Sequence, residues 1–245
     1  MELAGLLTRF SEGLLFVDNN TTHVSKNART GETYLPGVKT MSERKFVEEL
    51  VTWWTSAHAA DFNPDDAIRT EVPYPDIARA NCDLILSSDG SPLVSPEWSI
   101  EVKHIALVGN NGKNNDFGVA KILSPYLKDR SLIHDIYRLQ DSGIGKRRAV
   151  IGYCFSYDFA SCTEALERFP QHKEYIDNIL DVCSKNDPKR QQYSVIPMIE
   201  FAHDIFSERR LVSELKVHEF ADAWRHPCGG KGHIFGWEVV PKELV

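Results

Sequence analysis

RANCDLILSSDGSPLVSPEWSIEVKH, residues 79–104, is the stretch that decides how this chain folds. It reads as two strands joined through a turn. Asp83 directly precedes the apolar run Leu84-Ile85-Leu86, and Asp89-Gly90 supplies the turn chemistry. In the second strand Ile100 and Val102 point one way and Glu101 and Lys103 the other, because side chains alternate with period two. A carboxylate and an ammonium therefore share one face of a strand whose other face is apolar. The second strand is expected from about Trp98 to Leu107, and its apolar continuation Ile105-Ala106-Leu107 argues against a merely solvated charge pair. With Asp83 beside them on the paired strand, two carboxylates and a lysine converge on one small volume. Such a set suits a divalent cation and the water it activates.

Outward from this stretch the pattern stays regular. Upstream, Ser42 is a plausible helix N-cap, and SERKFVEELVTWWTSAHAA carries apolar residues at 46, 47, 50, 51 and 54. At about 100° per residue Glu43 falls within that stripe, whereas Glu48 and Glu49 fall outside it. Ile68 to Val72 suits a first strand, reached after a loop at 61–66 and leading through Pro73 and Pro75 into the central pair. Downstream, GNNGKNNDFG, residues 109–118, reads as a polar loop whose Lys113 and asparagines suit backbone contacts to nucleic acid or simple connection. DRSLIHDIYRLQ, residues 129–140, reads as a helix capped by Asp129, burying Leu132, Ile133, Ile136 and Leu139 and ended by Gly143 and Gly145. Arg147 to Phe155 then forms an apolar buried strand.

Asp83, a strand and turn, then Glu101-x-Lys103 on the next strand resembles the PD-(D/E)xK, or restriction-endonuclease-like, nuclease superfamily, and most of all a stand-alone type II restriction endonuclease. Cys82 stands where that pattern usually has proline. The literal Pro75-Asp76 lies upstream in a turn-like segment, so Asp83 is the better match. The resemblance spans roughly Glu43 to Phe155. It implies an α/β fold with an α-β-β-β-α-β core, a mixed sheet flanked by helices, and helical elaborations at both ends. It also implies Mg²⁺-dependent hydrolysis of DNA phosphodiesters, with Mn²⁺ as a substitute and 5′-phosphate ends. Asp83 and Glu101 would be the metal ligands, the Val102 backbone carbonyl a third candidate, and Lys103 the residue that orients water or offsets phosphate charge. Glu43 matches the helix-borne acid of the family; the plainer alternative is that it favours the positive helix N-terminus. Double-strand cutting would favour a homodimer, with one site per strand.

Composition sets bounds on this. At 245 residues the chain suits one domain, with residues 1–40 an N-terminal arm, 41–156 the nuclease core and 157–245 an accessory region. The arm begins with helical spacing at Leu3, Leu6, Leu7 and Phe10, followed by a polar loop from Asp18 to Thr33. The accessory region reads as a helix broken near Pro170, a second helix to about Cys183, and an apolar stretch of undecided type from Val195 to Phe201. A helical segment from Leu211 to Trp224, a Gly-rich basic loop at 224–233 and a terminal strand complete it. No apolar run approaches the about 18 residues of a membrane span, and no signal-peptide pattern opens the chain. Five cysteines without a Cys-x-x-Cys suit reduced thiols in a cytoplasmic protein. His226 and Cys228 are too few for zinc. A net charge of −7 argues against a nonspecific nucleic-acid coat but leaves room for an acidic metal site. Two rivals remain: a non-catalytic nucleic-acid-binding or assembly protein on the same fold, and a thiol hydrolase built on Cys82 and His104.

Overall fold

A computed structural model describes residues 1–27, 29–31, 33–62, 67–124, 126, 131–227 and 230–242, without the side chains of 117 and 119. Helix α1, Leu3–Asn20, buries Leu3, Leu6, Leu7, Phe10, Leu14 and Val17, one stripe of a 3.6-residue period. Helix α2, Glu43–Ala57, starts where the Ser42 hydroxyl accepts the Lys45 N–H at 3.2 Å. It buries Phe46, Val47, Leu50, Trp53 and Trp54. The two helices meet at Gly13, where a Cβ would lie 2.1 Å from Leu50 Cδ1.

Strands β1 (Ile68–Pro73), β2 (Asn81–Leu86) and β3 (Trp98–His104) follow in antiparallel succession. A short helix α3 (Asp116–Ala120) and helix α4 (Leu132–Asp141) lead to β4 (Arg147–Asp158), which pairs parallel with β3. Helices α5 (Phe159–Arg168) and α6 (Lys173–Asn186), the two-residue strand β5 (Gln192–Tyr193) and helix α7 (Ile196–Glu208) come next. Strands β6 (Lys216–Ala223) and β7 (Gly230–Glu238) close the fold. The result is a mixed α/β protein with a seven-stranded mixed sheet, ordered β1-β2-β3-β4-β7-β6 with β5 against β4, and helices around it.

Cross-strand partners share a face, and that register positions the charges. Ile100, Val102 and His104 pair with Ala149, Ile151 and Tyr153, and Phe46 of α2 packs on Tyr153 with ring centroids 4.7 Å apart. Glu101 and Lys103 pair with Val150 and Gly152 on the opposite face, which α4 covers. Both faces are thus closed, and β3 is buried from Trp98 through Lys103.

Several expected boundaries move. β3 ends at His104 and not Leu107, because the chain turns at Gly109 and Val108 forms a separate bridge with Asn114. The expected polar loop at 109–118 contains that bridge and the start of α3, and its Gly109 and Asn111 carbonyls accept from Tyr175 and Asn178 of α6. Asp129 lies outside the described residues; Ser131 occupies the N-cap position of α4. The expected helix from Leu211 to Trp224 is instead the edge strand β6, whose ladder with β7 satisfies its backbone and overrides the helix-forming Glu, Leu, Lys and Ala composition. The terminal strand also starts earlier than expected, at Gly230. The C-terminal region therefore supplies three strands of the sheet, β5, β6 and β7, as well as helices. The undecided stretch from Val195 is helix α7, with Pro197 in its first turn.

Candidate active site

The site forms where β2 and β3 part. Their pairing runs Leu86 with Trp98, Ile85 with Ser99 and Leu84 with Ile100, a register that brings Asp83 opposite Glu101. There the Asp83 Oδ2 atom accepts the Val102 N–H at 2.7 Å. Val102 itself is buried, and this bond fixes the peptide joining Glu101 to Val102 beside the Asp83 carboxylate. Glu101 is 2 % exposed, and its Oε1 accepts the Tyr74 hydroxyl at 2.6 Å. From α2, Glu43 reaches the end of β3, accepting the His104 N–H at 3.0 Å through Oε1 and lying 3.6 Å from Lys103 Nζ through Oε2. Asp83, Glu101, Lys103 and Glu43, expected to converge, line one cleft of about 680 Å³.

Helix α4 adds two residues that sequence reasoning missed. Asp135, fully buried, places Oδ2 3.0 Å from Lys103 Nζ, and its Oδ1 accepts from Arg138 Nη2 at 2.6 Å. Arg138 Nη1 lies 3.4 Å from Glu101 Oε1, and its guanidinium sits 5.9 Å from the centroid of the Tyr74 ring. The signal was present: Asp135 and Arg138 stand three residues apart on the flank of the Leu132–Ile136–Leu139 stripe, the spacing of neighbours on a helix surface. Tyr74 lay hidden in a proline-rich segment that reads as a turn.

Burial raises the pKa of Asp83, and of Glu101 well above the ordinary glutamate range; for Glu101 the neighbouring charges of Asp83 and Asp135 add to the effect. Burial likewise pushes Asp135 up to about 6, against the pull of Lys103 and Arg138. For Lys103 burial works to lower the value, but Asp135 and Glu43 outweigh it and hold the amine protonated. Crowded, desolvated carboxylates of this kind are relieved by a cation between them. Two further signs mark the cleft. Glu71 and Arg79, which line it, adopt the left-handed backbone at φ 55° and 63°, a conformation costly for residues with a Cβ and concentrated at functional sites.

The donor set suits Mg²⁺. Asp83 and Glu101 present two hard oxygen donors, and Mg²⁺ keeps several waters and is commonly held by one or two carboxylates plus substrate phosphate. Among the described residues no group of three His, Cys, Asp or Glu side chains is spaced to enclose a metal, so such an ion would rely on water and substrate for the rest of its shell.

Other candidates fare differently. Cys82 is buried, its Sγ within 3.4 Å of the Leu84 carbonyl oxygen, and burial pushes its thiol up to about 12. The His104 ring stacks on Tyr153 at 4.6 Å. Neither contact joins the two into a nucleophile and base, and a thiol so hard to ionise is a poor nucleophile. His226 is buried against the Tyr175 ring, and Cys228 lies outside the described residues. Two basic segments meet far from each other in sequence: Arg190 and Lys231 line a second cleft of about 670 Å³, together with Asp158, Glu200 and Glu219. Its acids outnumber its Lys and Arg side chains, which argues against a simple phosphate groove. No helix among the described residues is long and apolar enough to cross a membrane.

Comparison with protein families, with curated proteins and with solved structures gave no match.

Proposed function

We propose that this chain is a Mg²⁺-dependent endonuclease that hydrolyses DNA phosphodiester bonds, with a restriction-endonuclease-like core running from α2 to β4. One observation carries the proposal: Asp83 on β2 and Glu101 and Lys103 on β3 share a cleft with Glu43 of α2, all around one buried strand end. The order α2-β1-β2-β3-α4-β4, with the short α3 inserted before α4, β1 to β3 antiparallel and β3 parallel to β4, supports the fold assignment.

Phosphodiester hydrolysis needs a nucleophile, relief of charge on the phosphate and a stabilised leaving oxygen. A Mg²⁺ ion held by Asp83 and Glu101 would supply Lewis acidity and an acidified water. The chain's own residues do the rest. Asp83 fixes the Val102 peptide through its N–H, so the two ligand-bearing strands cannot drift apart. Tyr74 orients Glu101 by donating to Oε1. Lys103, buried and kept charged between Asp135 and Glu43, acts as a fixed ammonium that offsets charge on the phosphate or orients the attacking water. We propose further that the chain acts as a homodimer in the cytoplasm and leaves 5′-phosphate ends.

A second reading has its own support. The cations and acids of the cleft neutralise one another, Lys103 with Asp135 and Arg138 with Glu101, as they would in a non-catalytic binding or assembly protein. Incubating the protein with mixed plasmid and phage DNA and Mg²⁺ separates the two. Discrete fragments establish a sequence-specific nuclease, and a smear a nonspecific one. Intact DNA, with no Mg²⁺ uptake by calorimetry, favours the binding protein.

A further inference from the structure

Resting on the hydrolytic reading above, we propose that Arg138 is the residue that grips the substrate phosphate, released from Glu101 when a divalent cation takes that carboxylate. Four of the charged side chains at the centre of the site, those linked through Asp135 and Glu101, differ in access. Asp135 is fully buried, and the side chains of Glu101 and Lys103 are 3 % and 7 % exposed, whereas that of Arg138 is 24 % exposed and lines the cleft. Arg138 is the cation of this network that an incoming anion meets.

Its two anchors are unequal. Nη2 sits 2.6 Å from Asp135 Oδ1, a short charge-assisted hydrogen bond, while Nη1 is 3.4 Å from Glu101 Oε1, an ion pair looser than a hydrogen bond. A divalent cation on Glu101 would remove the attraction at the looser anchor and add repulsion, leaving the tighter one intact. The guanidinium, still held by Asp135, would then be free to turn towards an anion in the cleft. A planar fork of N–H donors matches two non-bridging oxygens of a phosphodiester, which a point-charge ammonium does not. Asp135 meanwhile holds Lys103 through its other oxygen. One buried carboxylate on α4 thus sets the spacing of two cations, one deep in the site and one at its mouth. Arg138 has, on this view, two partners in succession: Glu101 without metal, the phosphate with it.

The test uses two affinities expected to move in opposite directions. Mg²⁺ binding is measured by calorimetry without DNA. Binding of a mixed-sequence duplex oligonucleotide is measured by fluorescence anisotropy in Mg²⁺, in a Lys103→Ala background that does not cut. Arg138→Met is expected to tighten Mg²⁺ several-fold, because a competing charge leaves Glu101, and to weaken the duplex at least tenfold. Arg138→Lys is expected to recover part of the duplex affinity. Circular dichroism melting of each variant checks the fold, and Arg138→Lys keeps the test open if Arg138→Met unfolds. Unchanged duplex affinity in both variants overturns the assignment, and so does joint weakening of Mg²⁺ and duplex in a folded variant, which marks Arg138 as a structural counter-ion. If protein with Arg138 intact binds neither Mg²⁺ nor duplex, the hydrolytic reading falls and this assignment with it.

Discussion

At the level of single residues, the proposed chemistry rests on charges that the fold has made expensive. Asp83, Glu101 and Asp135 all carry pKa values raised by burial. A carboxyl whose folded pKa exceeds its unfolded one stabilises the fold when protonated, and that stability is lost as pH rises through the folded value. For Asp135 the window runs from the ordinary 3.8 to about 6. The histidines His104, His226 and His233, whose values are lowered by burial, pull the other way over the same range, so the carboxyl's share is read from a variant. Without metal, wild type minus Asp135→Asn is expected to be a larger melting-temperature difference at pH 5 than at pH 7.5. A difference that stays constant or grows towards pH 7.5 in EDTA would contradict this. Saturating Mg²⁺ is expected to raise the melting temperature most at the alkaline end, where the carboxylates are bare. That Asp83, Glu101, Lys103 and Glu43 share one cleft was legible from strand alternation, helix phase and the nuclease resemblance. Asp135, Arg138 and Tyr74 were not, because their role depends on α4 and the β1–β2 connection folding over the β3 face, a long-range fact that no local period encodes.

Among the elements, α1 and α2 show how local signals became packing. The Ser42 cap and the 46-47-50-54 stripe were plain in the sequence, and the helix begins there with Glu43 at its first position. Ser42→Ala is expected to destabilise by about 1 kcal/mol, as loss of an N-cap usually does. It is also expected to slow cleavage, because the first turn carries Glu43 to His104 and Lys103. Equal cleavage rates for Ser42→Ala and wild type would argue that Glu43 has no part in the site. Gly13 is a sharper test of the α1–α2 contact. Overpacking a core contact costs about 1–3 kcal/mol, and a Cβ at Gly13 would press on both Leu50 and Trp53, so Gly13→Val is expected at the upper end in urea unfolding. Edge strand β6 was the element least readable. Its burial follows no clean period, because one face is left to solvent and its backbone is satisfied by β7. Propensity then points to a helix, and only the partner strand decides otherwise.

For the whole molecule, one sheet gathers segments that composition alone divides into arm, core and accessory region. Helix α1 packs across β6 and β7, so the two ends of the chain close on each other over the central strands. This explains why a resemblance covering under half the sequence points to the cleft but not to its surroundings. The net charge of −7 adds a constraint, since any duplex must approach an acidic protein through local cations or bound metal. Duplex affinity is accordingly expected to be weak without Mg²⁺ and to fall steeply with salt when Mg²⁺ is present, which anisotropy across a salt series would show. The most direct measurement is the rate at which Mg²⁺ drives cleavage of plasmid DNA by wild type and by Lys103→Ala, with folding of both confirmed by circular dichroism. A wild-type rate that requires Mg²⁺ and falls at least about a hundredfold in Lys103→Ala is the expected result, in line with loss of a charge-stabilising catalytic group. Cleavage at equal rates by both proteins, or by neither, would contradict a hydrolytic centre at Asp83, Glu101 and Lys103.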